Sequence, residues 1–186
     1  MYKIKKMINP TSVEWIKFQH ESTNHKYDDY LPYEYHLRQV VKFARLFIDL
    51  IPKENQDAVI YGAWGHDLLE DTRVSYNDIK KVVPLEAANI IYALTNEKGK
   101  NRSERANDKY YEGIRDTEFA VYVKLCDRLA NVEYSFLTGS RMFEMYKKEN
   151  EEFGKKLGVY LVPGYTENPY FPLFAQLLEM FNNSKN

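Results

Sequence analysis

Two histidines and two aspartates, spread along the chain, are the side chains best suited to chemistry in this sequence. His36 comes first, the adjacent pair His66 and Asp67 follows, and Asp127 comes last. Imidazole nitrogens and carboxylate oxygens together suit a divalent ion such as manganese, iron or zinc. A bound divalent ion activates water and polarises a phosphoryl oxygen. We therefore predict a metal site with these four ligands, and phosphate hydrolysis as its chemistry.

Two further carboxylates follow the His-Asp pair, because residues 65–72 read GHDLLEDT. The apolar spacing predicts one helix over residues 55–70, which places Glu70 and Asp71 about one turn beyond the pair. We expect these two acids to orient and activate water without binding the ion. The alternative interpretation is an acidic surface helix end, which the helix dipole disfavours unless a cation is near.

Taken singly, two of the predicted ligands have ordinary structural interpretations. His36 is compatible with a packed or surface histidine, and Asp127 with an ion pair to the adjacent Arg128. The order and context of the four residues favour the metal site. His20 and His25 are poorer ligand candidates, because neither lies on an obvious apolar helix face.

The composition limits the class of protein. A chain of 186 residues that is 44% hydrophobic can bury one core, so we predict one domain. With 26 basic and 27 acidic residues there is no broad positive field, which disfavours bulk nucleic-acid binding. Cys126 is the single cysteine, so it is expected to be a buried thiol. No apolar run is long enough to span a bilayer, and we expect a cytoplasmic protein without a membrane partner.

Apolar residues recur at helical spacing, and no strand alternation competes with it, so the predicted fold class is all-α. A capping box of Ser75 and Asp78 opens a short helix, and Pro84 is expected as the first residue of the next. The segment 95–102 is polar and is predicted to be a loop. The other predicted helices lie before Pro52 (from about residue 37 to 48) and over residues 55–70, 103–115, 119–132, 140–153 and 171–181.

Four stretches of the sequence resemble the HD phosphohydrolase superfamily, and more narrowly the hydrolase domain of RelA/SpoT-type proteins and the small alarmone hydrolases. They are PYEYH at 32–36, HDLLEDT at 66–72, LTNEK at 94–98 and KLCDRLAN at 124–131. The resemblance implies a single HD-type helical bundle over residues 1–186, with its core at about 24–153. The aromatic and proline-containing tail, residues 154–186, is expected to provide packing or a contact in a homo-oligomer.

The resemblance also implies an activity. Such enzymes remove the 3′-pyrophosphate from guanosine tetra- and pentaphosphate at a site with one manganese ion, releasing pyrophosphate. At the positions that match the family's motifs, the resemblance implies the same four metal ligands and the same two acids that orient and activate water. It also implies that Asn131 contacts the ribose or a phosphate. No histidine follows His66, which disfavours the dinuclear HD enzymes, and the chain is too short for an added synthetase domain.

The loop before residues 32–36 departs from the family pattern. The family carries a basic pair there, with an arginine that stacks on guanine, whereas residues 24–28 here read NHKYD. Lys26 is the remaining basic partner, and His25 or Tyr27 is the ring that would stack instead. An aromatic face stacks on either purine, so we expect a relaxed base preference.

Four cations outside the predicted metal site could bind the substrate's phosphates. They are Lys98, Arg102, Arg105 and Arg141, of which Arg141 is the preferred phosphate clamp. The alternative for each is a solvated surface charge.

Two other functions remain open. One is an HD phosphatase acting on another nucleotide, such as a nucleoside monophosphate, a modified nucleotide or a phosphorylated dinucleotide. The other is a non-catalytic module that binds a nucleotide. The contiguous Glu70, Asp71 and Thr72 favour the alarmone hydrolase, and each hypothesis implies a small-molecule nucleotide as the partner.

Overall fold

The computed structural model describes residues 9–160 and 168–183, apart from the side chains of residues 102 and 103. The described chain is helical except for one two-stranded hairpin, which confirms the predicted all-α fold class. The helices are α1 (Pro10–Ser22), α2 (Glu34–Leu46), α3 (Gln56–Gly65), α4 (Leu68–Asp71), α5 (Tyr76–Ile79), α6 (Leu85–Ala93), α7 (Arg102–Arg105), α8 (Asp108–Asp116), α9 (Ala120–Leu137), α10 (Met142–Leu157) and α11 (Phe171–Asn183), with a 3-10 turn at Ile48–Leu50.

Helix α9 lies at the centre of the bundle and packs against α2, α3, α10 and α11. Its buried residues continue around the helix instead of following one stripe, as expected of a helix surrounded by others. The hydroxyl of the buried Tyr122 donates to the carbonyl oxygen of Ala44 at 2.6 Å, which ties α9 to α2. This arrangement holds α2, α3 and α9 together, and the predicted ligands lie on α2, on α9 and just after the end of α3.

The predicted helix over residues 55–70 is wrong in one respect, because the chain bends at His66 and Asp67. Helix α3 ends at Gly65, and the four-residue α4 begins at Leu68. A Cβ at Gly65 would lie 2.5 Å from Cδ1 of Ile91, so the glycine allows α3 to approach α6 closely. The acids Glu70 and Asp71 consequently lie in the single turn of a new helix.

A short hairpin that the sequence analysis did not predict precedes α2. Strand β1 (Lys26–Tyr27) pairs antiparallel with β2 (Leu31–Pro32), with Lys26 opposite Pro32. Asp28 and Asp29 form the turn in the left-handed region, with φ of 52° and 66°. Two-residue strands are too short for side-chain alternation to reveal them in a sequence.

Several other boundaries differ from the prediction by a few residues. The segment predicted as one helix over 103–115 is two helices, because Asn107 caps α8 by accepting a hydrogen bond from the backbone N–H of Tyr110. Helices α9 and α10 extend beyond their predicted ends, and Pro84 lies at the cap position of α6, just before its first residue. The capping box of Ser75 and Asp78 is confirmed.

The C-terminal helix packs on the body of the bundle. Phe174, Leu177 and Phe181 are buried, whereas Leu178 is 38% exposed. A Cβ at Gly154 would lie 2.5 Å from Cζ of Phe174, so a glycine is required where α10 meets α11. Part of the predicted tail, residues 161–167 and 184–186, lies outside the described residues. None of the described helices combines the length and apolarity needed to cross a bilayer.

Candidate metal centre

The structure brings the four predicted ligands together. Nε2 of His36 lies 3.2 Å from Nε2 of His66 and 3.3 Å from Oδ1 of Asp127. Nε2 of His66 lies 2.9 Å from Oδ2 of Asp67 and 3.7 Å from Oδ1 of Asp127. Two imidazole nitrogens and two carboxylate oxygens therefore face one small volume, although the four residues come from three separate parts of the chain.

Different elements position these side chains. His36 lies in the first turn of α2, His66 and Asp67 form the bend between α3 and α4, and Asp127 lies within α9. Asp67 occupies the cap position of α4 without a side-chain capping hydrogen bond. Its carboxylate consequently faces the histidines.

The donor set fits a divalent ion, since the His36, His66 and Asp67 atoms lie within 4.8 Å of one another. Nδ1 of His66 lies 3.0 Å from the carbonyl oxygen of Ala63. A hydrogen on Nδ1 would donate to that carbonyl and leave the Nε2 lone pair directed into the cluster, as in histidine ligands of metals. This group of side chains could bind a metal ion.

The electrostatics of the cluster favour a cation. Burial lowers the pKa of His66, but the carboxylates of Asp67 and Asp127 outweigh burial and raise that pKa to about 9. Burial likewise raises the pKa of both aspartates, yet His66 beside Asp67 and Lys124 beside Asp127 bring each below its ordinary range. The negative potential that stabilises a protonated imidazole would also attract a metal ion.

Asp127 is held by neighbours on α9 and on the hairpin. The Asn131 side-chain amide donates to Oδ1 of Asp127 at 2.6 Å, and the Tyr27 hydroxyl donates to the Asn131 amide oxygen at 3.0 Å. The Tyr27 ring stacks on His36, with centroids 4.8 Å apart. Asn131, predicted to contact substrate, thus orients the carboxylate of Asp127, a predicted ligand, in this structure.

Tyr33 is a site residue to which the sequence analysis gave no role. Its buried hydroxyl donates to Oδ2 of Asp67, and its ring stacks against His20 and His25, with centroids 4.6 and 3.9 Å apart. The two histidines considered poor ligands therefore pack behind Asp67. Tyr33 lies within the PYEYH motif, but its bond to a residue 34 positions away leaves no sequence signal.

Glu70 and Asp71 extend from the start of α4. Both Glu70 oxygens accept hydrogen bonds from Asn96, at 2.6 Å from the backbone N–H and 2.9 Å from the side-chain amide. Oδ2 of Asp71 lies 3.6 Å from Nδ1 of His25. Burial, then Asp67 and Glu70, raise the pKa of Asp71 to about 7, and burial with Asp67 also raises that of Glu70. A carboxyl group with a pKa near 7 can accept a proton at neutral pH.

The other predicted substrate residues lie around the cluster. Tyr27 lines a cavity of about 160 Å³ together with Asp28, Asn131, Tyr134, Ser135, Ser140, Met142 and Tyr146. His25 packs on Tyr33, and Lys26 is exposed on the strand. Tyr27 and His25 are thus already stacked on protein rings.

The predicted phosphate-binding cations lie farther out. The exposed Arg141 lines a separate cavity of about 340 Å³ with Phe136 and Phe143. Lys98 is exposed at a cavity of about 640 Å³ that also contains Asn96, the partner of Glu70. Arg105 is exposed, and the side chain of Arg102 lies outside the described residues. A phosphate role for these residues remains a prediction.

Lys124 is a further site residue that the sequence analysis did not assign. Its Nζ lies 2.9 Å from Oδ2 of Asp127, and its side chain is 19% exposed. The spacing of three residues on a helix is a signal that could have suggested the contact.

Comparison with known proteins agrees with the motifs, although no family model matches the chain. Guanosine-3′,5′-bis(diphosphate) 3′-pyrophosphohydrolase MESH1 of Drosophila melanogaster is 22% identical over 120 residues, covering 64% of this chain. The Danio rerio protein of the same name is 26% identical over 121 residues, covering 65%. The chain spans 65% of the length of each of these curated relatives, just under two thirds.

A solved structure of a metazoan orthologue of SpoT, described as hydrolysing ppGpp and acting in starvation responses, has the same fold. It superposes with a TM-score of 0.64 at 21% identity, over 100% of this chain and 98% of the other. The chain resembles the HD-type ppGpp hydrolases. This resemblance confirms the one predicted from the four motifs, and the structural match confirms an HD-type helical bundle.

Proposed function

We propose that this protein is a metal-dependent hydrolase that removes the 3′-pyrophosphate from guanosine tetra- and pentaphosphate. The observation that carries the proposal is the convergence of His36, His66, Asp67 and Asp127 on one volume, with Asp71 nearby, in an HD-type bundle. The two MESH1 relatives are named for this reaction, which supports the choice of substrate.

The four ligands would hold one divalent ion, and we propose Mn²⁺ because it accepts mixed imidazole and carboxylate ligands. When bound, such an ion supplies Lewis-acid polarisation of the phosphoryl oxygen and lowers the pKa of water. Tyr33 holds Asp67, and Asn131 and Lys124 hold Asp127, so both carboxylates are oriented before an ion enters. Preorganised ligands lose less entropy on binding.

The acids of α4 supply the proton transfer. A water oxygen attacks the phosphorus next to the ribose 3′ oxygen, and Asp71 accepts the proton that the water loses. The bond from that phosphorus to the 3′ oxygen breaks, and the 3′ oxygen takes up a proton from solvent, to which Asp71 returns the proton it accepted, as pyrophosphate leaves. Glu70, fixed by Asn96, is placed to orient the water. The products are the nucleoside 5′-polyphosphate and pyrophosphate, which balances the addition of one water.

The second candidate is an HD phosphatase that acts on a different nucleotide. It is favoured by the cavity beside Tyr27, which contains the carboxylate of Asp28, a residue of the loop in which the family carries a basic pair. A carboxylate repels polyphosphate, which disfavours a phosphate chain on that side of the centre.

A nucleotide panel distinguishes the two candidates. Purified protein with Mn²⁺ is incubated with guanosine and adenosine 3′,5′-bispyrophosphates and with nucleoside monophosphates, and the products are separated by ion-exchange chromatography. The proposal expects pyrophosphate from the bispyrophosphates, with discrimination between the two bases weaker than about a thousandfold. Orthophosphate from the monophosphates, with the bispyrophosphates intact, would support the phosphatase.

A further inference from the structure

Lys124 places a positive charge inside the candidate metal centre. It lies on α9, and its ammonium nitrogen lies 2.9 Å from Oδ2 of Asp127 and 5.9 Å from the ring centroid of Tyr110. A largely buried ammonium group is costly unless it is paired, and Asp127 supplies the pairing charge. A predicted metal ligand is therefore already paired with a cationic side chain of the protein.

The two oxygens of Asp127 face different partners. Oδ1 faces His36 and His66 and accepts the hydrogen bond from Asn131, whereas Oδ2 accepts the hydrogen bond from Lys124. An aspartate that bridges two metal ions gives one oxygen to each. Here the second oxygen is already bound to a cation that belongs to the protein.

Glu70 is the other acid that a second ion could use. Its two oxygens accept hydrogen bonds from Asn96, and the charge of Lys124 also acts on it, opposing the rise in its pKa that burial and Asp67 cause. A second ion would thus have to compete with Asn96 for Glu70 and with Lys124 for Asp127. It would also be repelled by the ammonium group at close range.

We propose that the ammonium group of Lys124 takes the place of a second cation and limits the centre to one metal ion. The inference rests on the proposed function, because it assumes that the four ligands hold a divalent ion. It assigns Lys124 as a positioning residue that fixes Asp127 as a ligand for a single ion through Oδ1.

Metal stoichiometry tests the proposal without reference to activity. Wild type, Lys124→Gln and Lys124→Arg are dialysed against increasing Mn²⁺, bound metal is measured by mass spectrometry, and low-temperature electron paramagnetic resonance detects exchange-coupled ion pairs. Wild type and Lys124→Arg should bind one ion. Lys124→Gln, which keeps a polar side chain but removes the charge, should bind two and show the coupled signal.

Lys42→Gln is the matched control. Lys42 is an exposed lysine of α2 that pairs with Glu133, an acid on the helix that also carries Lys124 and Asp127. It should bind one ion, as wild type does. A folded Lys124→Gln or Lys124→Met protein that binds one ion at all Mn²⁺ concentrations would overturn the proposal. So would a second ion in wild type at millimolar Mn²⁺, a result that does not depend on any variant folding.

Different results would overturn the proposed function and the inference about Lys124. A wild-type protein that binds no ion would overturn the proposed function and this inference together. A wild type with one ion and a neutral variant that also holds one would overturn the inference alone.

Discussion

Tyr33 donates its hydroxyl hydrogen to Oδ2 of Asp67, the same oxygen that lies 2.9 Å from Nε2 of His66. The donor lies at the cap position just before α2 and the acceptor lies at the bend after α3, so the bond fixes a predicted ligand across two elements. Removing a partner that orients a metal ligand lowers metal affinity by about 10- to 100-fold in known sites.

Tyr33→Phe should therefore weaken Mn²⁺ binding by about 10- to 100-fold, because the ring packing stays and the orienting hydrogen bond is lost. Isothermal titration with Mn²⁺ measures the effect. Tyr76→Phe is the control, since the Tyr76 hydroxyl donates to the side-chain oxygen of Asn89 at 2.5 Å instead of to a predicted metal ligand. Equal affinities for Tyr33→Phe and wild type would show that Asp67 needs no such support.

The residue types and their helical settings were sufficient to predict which four side chains converge, and their role as metal ligands stays a prediction. His36, His66, Asp67 and Asp127 are uncommon in largely apolar segments, and the structure places all four together. The role of Tyr33 was not predicted, because its hydrogen bond to Asp67 joins two elements, whereas Lys124 was overlooked although it lies three residues before Asp127 on one helix. A single sequence reports spacing along a helix but not which side chains meet across helices.

The secondary structure was predictable where apolar spacing is long and regular, as in α2 and α9. The bend at His66 was missed because apolar residues continue through it, and Gly65 was not recognised as the place where α3 touches α6. The hairpin at 26–32 was missed because two-residue strands have no periodicity. The site depends on both features, since they orient Asp67 and place Tyr27 on His36.

Glu70→Gln and Asp71→Asn should keep the metal and lose turnover. Neither acid is among the converging ligand atoms, and loss of general acid-base help reduces rates by about 10²- to 10⁴-fold. Metal content by mass spectrometry and turnover per bound ion are measured on the same samples. Loss of metal with unchanged turnover per remaining ion would make these acids ligands and contradict their assignment.

Asp71 should make the metal-free protein less stable as the pH rises. Its folded pKa of about 7 lies above the ordinary value of about 3.9, so the folded state holds the proton more tightly. The stabilising contribution is complete below about pH 4 and is lost as the pH rises to about 7, at no more than about 1.4 kcal/mol per unit. Partial solvent exposure of the side chain reduces this slope.

Urea unfolding of wild type and Asp71→Asn at several pH values, with a chelator present, measures that contribution. The free energy of unfolding of wild type should fall relative to the variant between about pH 4 and 7. Added Mn²⁺ should reduce the difference, because a nearby cation lowers the pKa of a carboxyl group. A difference that is independent of pH would contradict the raised pKa.

Gly65→Ala should destabilise the fold by about 1–3 kcal/mol, because its Cβ would lie 2.5 Å from Cδ1 of Ile91 in a packed interface. Gly113→Ala is the matched control on α8. A Cβ there has no neighbour within 4 Å, and alanine is expected to stabilise a helix by about 0.5–1 kcal/mol relative to glycine. Thermal unfolding measures the melting temperature of both variants. Equal changes in melting temperature would contradict the close approach of α3 to α6.

The products formed from guanosine 3′,5′-bispyrophosphate in ¹⁸O-labelled water, followed by phosphorus nuclear magnetic resonance, test the proposed reaction most directly. Wild type with Mn²⁺ should release pyrophosphate that carries the label, and leave the nucleoside 5′-diphosphate unlabelled. Asp127→Asn should lose the metal and the activity together, since the carboxylate charge holds the ion, whereas Asp108→Asn, at a side chain that is 91% exposed, should keep both. Release of orthophosphate, or undiminished hydrolysis by metal-free protein, would contradict the account.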